Sequence, residues 1–287
     1  MPPVAASRVY VASARRPANW DVIRDAVRDI VSRRQLIGFL ASAVMRKAGA
    51  NTLLGNIWWI LDPLLQMPLY VLLVGVILRS GAPDYPLFVF AAVLPWKWFT
   101  SSLTDATTSV STRDQLIKQL PFPKLVLPVA AIASGIPQFA FGLIPLVVMM
   151  LLFYRDRVTA LLLLIPLVAA VQLVLMLAVG ILLAAFNVFA RDTGRLSGYV
   201  LRLWFFLSPA LYATDRIDHI AAQHPIVAWV FRLNPFTTLF EAYRDLIYRV
   251  RLPDPAGLLV LLVASVALLA ITVIVFKRLE PGFAKVL

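Results

Sequence analysis

The chain has no cysteine and only two histidines among its 287 residues. The missing cysteines exclude disulfides, thiolate zinc sites, iron–sulfur clusters and a cysteine nucleophile. His219 and His224 lack the H-E-x-x-H spacing of a zinc protease, so we predict no metal site. No glycine is followed by lysine, which excludes the P-loop that holds nucleotide phosphates. We therefore predict no catalytic residue and no bound cofactor in this chain.

Charged residues are also scarce. Only 15% of residues are charged whereas 61% are hydrophobic, and the mean hydropathy is +0.83. Polar residues are too few to cover the surface of a soluble protein of this length. We therefore expect lipid to surround most of the chain. The simplest architecture is one all-α polytopic membrane protein. The net charge of +12 then reports on membrane topology, and we predict no nucleic-acid partner.

Apolar runs long enough to cross a bilayer predict six transmembrane helices. They cover residues 57–79, 86–109, 125–153, 159–190, 196–213 and 256–276. Most Lys and Arg residues fall in the cytoplasmic segments if both termini lie inside the cell. The first 55 residues lack a signal-peptide pattern, which agrees with a cytoplasmic N-terminus. We divide the chain into a cytoplasmic N-terminal region 1–55, a transmembrane domain 56–280 and a cytoplasmic tail 281–287.

The N-terminal region contains an amphipathic pattern. Ile23, Val27, Ile30 and Val31 fall on one helical face, and charged residues occupy the rest. This spacing predicts a helix that lies in the headgroup layer of the membrane. The alternative is a solvated helix with ordinary surface charges.

The external segment 214–255 carries helical periodicity on both sides of an Asn234-Pro235 break. Neither half is long enough to span the membrane. We predict a re-entrant helical hairpin over 226–250 that dips into the outer leaflet, where protein or a wet cavity covers its backbone.

A few charged residues fall inside or beside the predicted spans. Lys97 lies among large aromatic residues. It could line a cavity or belong to the aromatic belt at the membrane interface, and the sequence favours neither. Asp62 also lies at membrane depth, whereas Asp105 and Arg202 lie near predicted boundaries and are explained by snorkelling. Gly194 and Gly198 form a G-x-x-x-G that predicts helix contact only.

Aromatic residues are dense in the second and fifth predicted spans. Their flat faces suit stacking on sugar rings, although packing against lipid is the alternative. The resulting candidates for the wall of a substrate channel, together with Lys97, are Trp96, Trp98, Phe99, Trp204, Phe205 and Tyr212.

Four short motifs occur in order along the chain. They are Leu54-Gly55 with Trp58 and Pro63, Leu116-Ile117-Lys118 followed by Pro121-Phe122-Pro123-Lys124 and Leu127-Pro128, Leu207-Ser208-Pro209, and Asn234-Pro235 with Arg244. Together they resemble the polysaccharide-exporting permeases of the type-two ABC transporters, a family that includes O-antigen and teichoic-acid permeases. The resemblance covers most of residues 50–287.

This resemblance implies a homodimer, each copy docked on one of two nucleotide-binding ATPase subunits in the bacterial plasma (inner) membrane. ATP and Mg would bind to the ATPase, and the cargo would be a lipid-linked glycan of lipopolysaccharide biosynthesis. The loop 111–124 would be the coupling helix that contacts the ATPase. The candidate contact residues in it are Arg113, Asp114, Gln115, Leu116, Ile117, Lys118 and Phe122.

Under the same reading, the hairpin forms an external gate. The candidate gate residues are Asn234, Pro235, Phe236, Phe240, Glu241 and Arg244. Two other functions stay open. One is export of a smaller lipid or a drug by the same machinery. The other is a membrane-embedded glycosyl- or acyltransferase, which needs an acidic or histidine constellation that the sequence does not suggest.

Overall fold

The computed structural model describes residues 18–49, 52–77, 82–119, 122–212 and 225–286, and within them all regular structure is helical. This agrees with the predicted all-α class. The helices are α1 (Asn19–Ser32), α2 (Arg34–Gly49), α3 (Trp58–Tyr70), α4 (Tyr85–Thr108), α5 (Asp114–Gln119), α6 (Val126–Ala133), α7 (Gly135–Phe153), α8 (Ile165–Phe189), α9 (Asp192–Phe206), α10 (Pro225–Leu233), α11 (Pro235–Ile247) and α12 (Pro255–Val286). A π-helical segment, Val71–Ile77, continues α3, and a 3-10 segment, Ala160–Leu164, leads into α8.

Four helical segments of the described chain are long and apolar enough to cross a membrane. They are Gly55–Ile77, Val126–Phe153, Ala160–Phe189 and Pro255–Phe283, and they match the first, third, fourth and sixth predicted spans. The second and fifth predicted spans correspond to α4 and α9, which do not meet the same length and hydropathy criteria. The number of six spans therefore stays a prediction.

Helix α4 lies at the centre of the bundle. It packs against α3, α6, α7, α8, α9 and α11, and most of its side chains are buried. Pro86 fits the first turn of the helix, where the missing N–H has no partner to lose. Pro95 lies inside the helix, and its carbonyl accepts a hydrogen bond of 2.8 Å from Gln172 Nε2 of α8. Because α4 faces protein, it can carry polar residues that a lipid-facing helix could not.

Close helix approach in the core depends on a small residue. A Cβ at Gly135 of α7 would collide with Ser102 and Trp98 of α4. Gly135 therefore allows α7 to pack directly on the central helix.

The bundle has two ends, which we call proximal and distal. The proximal end contains α1, α5, the start of α9 and the last turns of α12. The distal end contains residues 82–84, 154–160, 207–212 and 234–254. Hydrogen bonds from Tyr85 Oη to the Leu211 carbonyl (2.8 Å) and from Tyr248 Oη to the Pro83 carbonyl (2.7 Å) tie the distal segments together.

Helix α12 is longer than the sixth predicted span. It continues past residue 276 to Val286, so residues 281–286 of the predicted tail are helical. The extension is anchored because Phe283 is buried and Lys277 Nζ lies 2.5 Å from Asp29 Oδ2 of α1 and 3.3 Å from Glu280 Oε2. Glu280 Oε1 also accepts a 2.7 Å hydrogen bond from the backbone N–H of Lys124.

The predicted N-terminal amphipathic helix is present as α1. Its apolar residues divide between two sides: Val22 and Ala26 are buried against the bundle, whereas Val27 and Val31 are 55% and 60% exposed. One side thus packs on protein and the other is free to contact lipid. This division differs from the single apolar face that periodicity predicts, because α1 lies against α12.

Candidate functional site

The predicted coupling loop folds as a 3-10 turn, Ser111–Arg113, followed by α5. Pro121 lies outside the described residues. Gln115 and Lys118 are exposed, and Leu116 and Phe122 are partly exposed. Ile117 is different, because it is buried in the proximal core with Leu125 and Phe283. Its side chain therefore anchors α5 to its own chain, and an ATPase could contact only the other members of the set.

Arg113 and Asp114 begin the loop, and both are partly buried. Burial lowers the pKa of the Arg113 guanidinium. Within the described residues, Arg113 Nη1 is buried without a hydrogen-bond partner. An unpaired buried guanidinium nitrogen is costly, so this position favours an added acceptor.

Trp96 is the centre of an aromatic cluster formed by three helices. Its ring centroid lies 4.6 Å from that of Phe236, 5.4 Å from Phe205 and 6.3 Å from Trp204. Phe99 completes the cluster at 4.6 Å from Phe236. Such edge-to-face pairs add stability beyond burial alone. The cluster joins predicted channel residues on α4 and α9 to predicted gate residues on α11.

The predicted channel residues are mostly in the protein core. Trp96, Trp98, Phe99 and Phe205 are buried, and Trp98 stacks on Phe139 of α7 with centroids 4.5 Å apart. Trp204 and Tyr212 are partly exposed. In a single chain, only these two rings of the predicted set are open to a passing molecule.

Lys97 and Asp62 form an ion pair between α4 and α3. Lys97 Nζ lies 3.2 Å from Asp62 Oδ2, and both side chains are partly exposed. The sequence indicates each charge separately but not their pairing. The pair explains how two charges are accommodated at this depth, since each neutralises the other.

Asn234 connects the end of α9 to the start of α11. Its Oδ1 accepts hydrogen bonds from Trp204 Nε1 (3.0 Å) and from the backbone N–H of Phe236 (3.0 Å). Its Nδ2 donates to the Leu207 carbonyl (3.1 Å) and to Ser208 Oγ (2.9 Å). The helix cap at Asn234 is followed by Pro235 at the first position of α11, as the sequence pattern favours. The two motifs Leu207-Ser208-Pro209 and Asn234-Pro235 thus form one hydrogen-bonded unit.

Arg244 completes this unit from the other end of α11. Its Nη1 donates to the Pro209 carbonyl (2.6 Å) and its Nη2 to the Ala210 carbonyl (2.7 Å), and its guanidinium lies 3.7 Å from the centroid of the Phe88 ring. Glu241 Oε1 lies 3.4 Å from Arg244 Nη1 and its other oxygen pairs with Arg249. Phe240 is buried beside them. We call Asn234, Arg244 and their partners on residues 204–210 the distal clamp.

One buried polar contact escaped the sequence reasoning. Gln172 of α8 bonds the Pro95 carbonyl and accepts a 3.1 Å hydrogen bond from Tyr243 Oη of α11. Its signal in the sequence is an amide side chain in the middle of the apolar run 159–190. It links the central helix to the distal clamp through the core.

Comparison with known proteins places this arrangement in a family. The sequence pattern of the ABC-2 type transporter family matches residues 35–248 of this chain. This range includes the predicted coupling loop, the aromatic cluster and the distal clamp. The chain belongs to the ABC-2 type transporter family. The resemblance found in the sequence motifs is therefore confirmed.

Relatives of this ABC-2 type transporter include the O-antigen export system permease protein RfbA of Myxococcus xanthus. The two are 33% identical over 259 residues, which cover 90% of this chain and 98% of the relative. Two proteins of the same name from Klebsiella pneumoniae are each 27% identical, over 237 and 238 residues, and cover 83% of this chain and 89% of the relative. Membership of a transporter family gives no support to the transferase alternative.

Proposed function

We propose that this chain is the membrane permease of an exporter that moves a lipid-linked polysaccharide, such as an O-antigen, across the inner membrane. The observation that carries the proposal is the match to O-antigen permeases over 90% of this chain and 98% of the relative. A separate ATPase would bind ATP and Mg, because the sequence lacks a P-loop. The proximal end would face the cytoplasm.

The exposed side of α5 is the proposed contact with the ATPase. Gln115, Leu116 and Lys118 offer polar and apolar contacts at one corner of the proximal end. Asp29, Lys277, Glu280 and the Lys124 backbone connect this corner to α1 and α12. Force applied at α5 would therefore reach the bundle through short, rigid links.

The experiment that tests this contact is co-purification of the ATPase with the Leu116→Asp permease. A charge in an apolar contact is expected to reduce recovery of the ATPase at least tenfold, because burying an unpaired carboxylate is costly. The matched control is Leu252→Asp, an exposed residue at the distal end. Normal ATPase stoichiometry with Leu116→Asp would show that α5 is not the contact.

Two grooves beside α1 suit an amphiphilic cargo. One has a volume of about 690 Å³ and is lined by charged residues of α1 and α12, among them Arg28, Lys277 and Arg278. The other has about 260 Å³ and is lined only by apolar residues, among them Ile30 and Val273. A lipid-linked glycan has a polar head and an apolar tail, so access beside α1 is part of the proposal.

In this proposal, two copies of the permease together form the gate and the channel wall. The distal clamp and α10 would form the outer mouth of a passage between the copies. Trp204 and Tyr212 are the partly exposed rings that could stack on sugars, while the buried rings hold them in place. Glycan export that is unchanged in Tyr212→Ala would remove sugar stacking at this ring from the proposal. Transport of a smaller lipid without any glycan transport would favour the smaller lipid as the cargo.

A further inference from the structure

Three arginines lie along one side of α9. Arg191 directly precedes the helix, and Arg195 and Arg202 follow on it. At about 100° of rotation per residue, the three positions fall within about 40° of one another. All three residues are exposed on the surface of the chain. We call this row the arginine track.

Arg202 lies farther along α9 than the other two arginines. The helix starts at Asp192, so Arg202 stands about 15 Å along it, which is farther from the proximal end than the side chain reaches. Its guanidinium carbon lies 5.8 Å from the ring centroid of Tyr199, one turn nearer the proximal end, so it points away from the distal end as well.

The arginine track has no counter-charge within the described chain. None of its three guanidiniums lies within ion-pair distance of a carboxylate there. Asp192 is the only acidic residue between 191 and 212. Arg244, by contrast, is saturated by carbonyls and an aromatic ring. The arginine track is therefore available to an outside anion.

Gly198 keeps the arginine track open. It falls on the same side of the helix, between Arg195 and Arg202, and a Cβ there would meet no atom within 4 Å. Among the described residues, none makes the helix contact predicted for Gly198. Within the described residues, no side chain therefore covers the helix surface between Arg195 and Arg202 at Gly198.

A polar groove lies at the base of the track. It has a volume of about 430 Å³ and is lined by Thr108, Ser111, Thr112, Asn187, Arg191, Gly194 and Arg195. Asn187 shapes it, since its Oδ1 accepts from the Gly194 N–H (2.9 Å) and its Nδ2 donates to Ser111 Oγ (2.8 Å). The hydroxyls of Thr108, Ser111 and Thr112 donate to backbone carbonyls of their own segment, so the two guanidinium groups are the donors that an oxyanion would meet here.

We propose that the arginine track guides the phosphate group of the lipid-linked glycan along α9, from the basal groove to Arg202. This inference rests on the proposed export function and names the chemical class of its cargo. An arginine exposed to lipid is costly, whereas one that lines a wet passage is not. Guanidinium groups bind phosphate through paired hydrogen bonds, so successive arginines can hand the anion along the passage.

The test uses the permease reconstituted with its ATPase in phosphatidylcholine vesicles. The probe is an isoprenoid diphosphate carrying a sugar, and the matched neutral probe is the same isoprenoid glycoside without phosphate. The measurement is the probe concentration that gives half-maximal stimulation of ATP hydrolysis. For the diphosphate, Arg202→Gln should raise this concentration about tenfold, because a charged hydrogen bond is lost. The neutral probe should show no change.

Two further variants separate this role from a structural one. Arg202→Lys keeps the charge but not the paired hydrogen bonds, so it should restore part of the wild-type response. Arg155→Gln removes an exposed arginine at the distal end and should behave as wild type. We expect the same thermal stability in all variants. Within the described residues, Arg202 makes no side-chain hydrogen bond, and its guanidinium only lies over the Tyr199 ring.

Several results would overturn the inference. One is an unchanged diphosphate response in Arg202→Gln, and another is an equal loss with the neutral probe. A third is Arg202-dependent stimulation by phosphatidylglycerol vesicles alone, which would assign the track to bulk phospholipid. If wild type responds to the glycan lipid but Arg202→Gln is unaffected, only this inference fails. If wild type responds to no glycan lipid, the proposed function fails with it.

Discussion

At the scale of single residues, Arg244 makes the largest set of contacts of any charged side chain described here. Two carbonyls of the α9 end and the Phe88 ring surround it, and no part of its side chain is exposed. A planar guanidinium can reach two carbonyls at once, which an ammonium cannot do. The residue therefore holds α4, α9 and α11 in one arrangement.

Replacing Arg244 should destabilise the permease strongly. We expect Arg244→Met to lower the free energy of unfolding in detergent by about 3–5 kcal/mol, because buried carbonyls lose their donors. Arg244→Lys should recover only part of the loss. Thermal unfolding of the purified chain measures this. Arg251→Gln is the control, since that side chain is 62% exposed and its ion pair contributes about 1 kcal/mol or less. A melting temperature unchanged by Arg244→Met would contradict the distal clamp.

The Lys97–Asp62 pair predicts a measurable coupling between α3 and α4. Asp62→Asn and Lys97→Gln should each destabilise the chain, and the double variant should lose less than the sum. The expected coupling energy is about 1 kcal/mol, since both groups are partly exposed. A double-mutant cycle of thermal unfolding gives this value. Strict additivity would mean that the two charges do not interact in solution.

At the scale of helices, hydrophobic runs predict positions well but not surroundings. The runs at 57–79, 125–153 and 159–190 correspond to described helices, because length and apolar content alone decide them. The central position of α4 could not be predicted from the sequence. A run of apolar residues has the same pattern whether the helix is surrounded by lipid or by protein. Burial of Ile117 is a similar case, as a single apolar residue in a polar loop fits either an interface or the core.

The residue pairs that join different helices could not be predicted from the sequence either. Gln172 and Tyr243 are 71 positions apart, and Asp29 and Lys277 are 248 positions apart. Neither contact leaves a periodic pattern, because each depends on how whole helices pack. The four motifs did indicate the important segments. What the structure adds is that Leu207-Ser208-Pro209, Asn234-Pro235 and Arg244 form one bonded unit.

The exposed face of α9 predicts where two copies meet. The chain has no cysteine, so single-cysteine variants can be cross-linked without background. Leu203 on α9 is 62% exposed and lies beside Arg202, which needs a wet passage between copies. Leu203→Cys should therefore cross-link to a second copy in membranes. Val260→Cys on α12, at 69% exposure, is the control and should not. Cross-linking at residue 260 alone would place the interface on α12.

At the scale of the whole molecule, the proposed ATPase contact and the proposed gate lie at opposite ends of the bundle. The proximal end gathers α5, α1 and the end of α12 around a chain of ion pairs. The distal end holds α9 and α11 together through Asn234 and Arg244. Helix α9 runs from one end to the other, so a displacement at its start is transmitted to the clamp.

The most direct test of the central claim is the fate of the cell-surface glycan when the gene for this chain is deleted. Export by this permease predicts that surface glycan disappears and that finished lipid-linked glycan accumulates on the cytoplasmic side. Wild-type permease should restore the surface glycan, whereas the Leu116→Asp variant should not. Surface glycan that is unchanged in amount and length after deletion would contradict the proposed function.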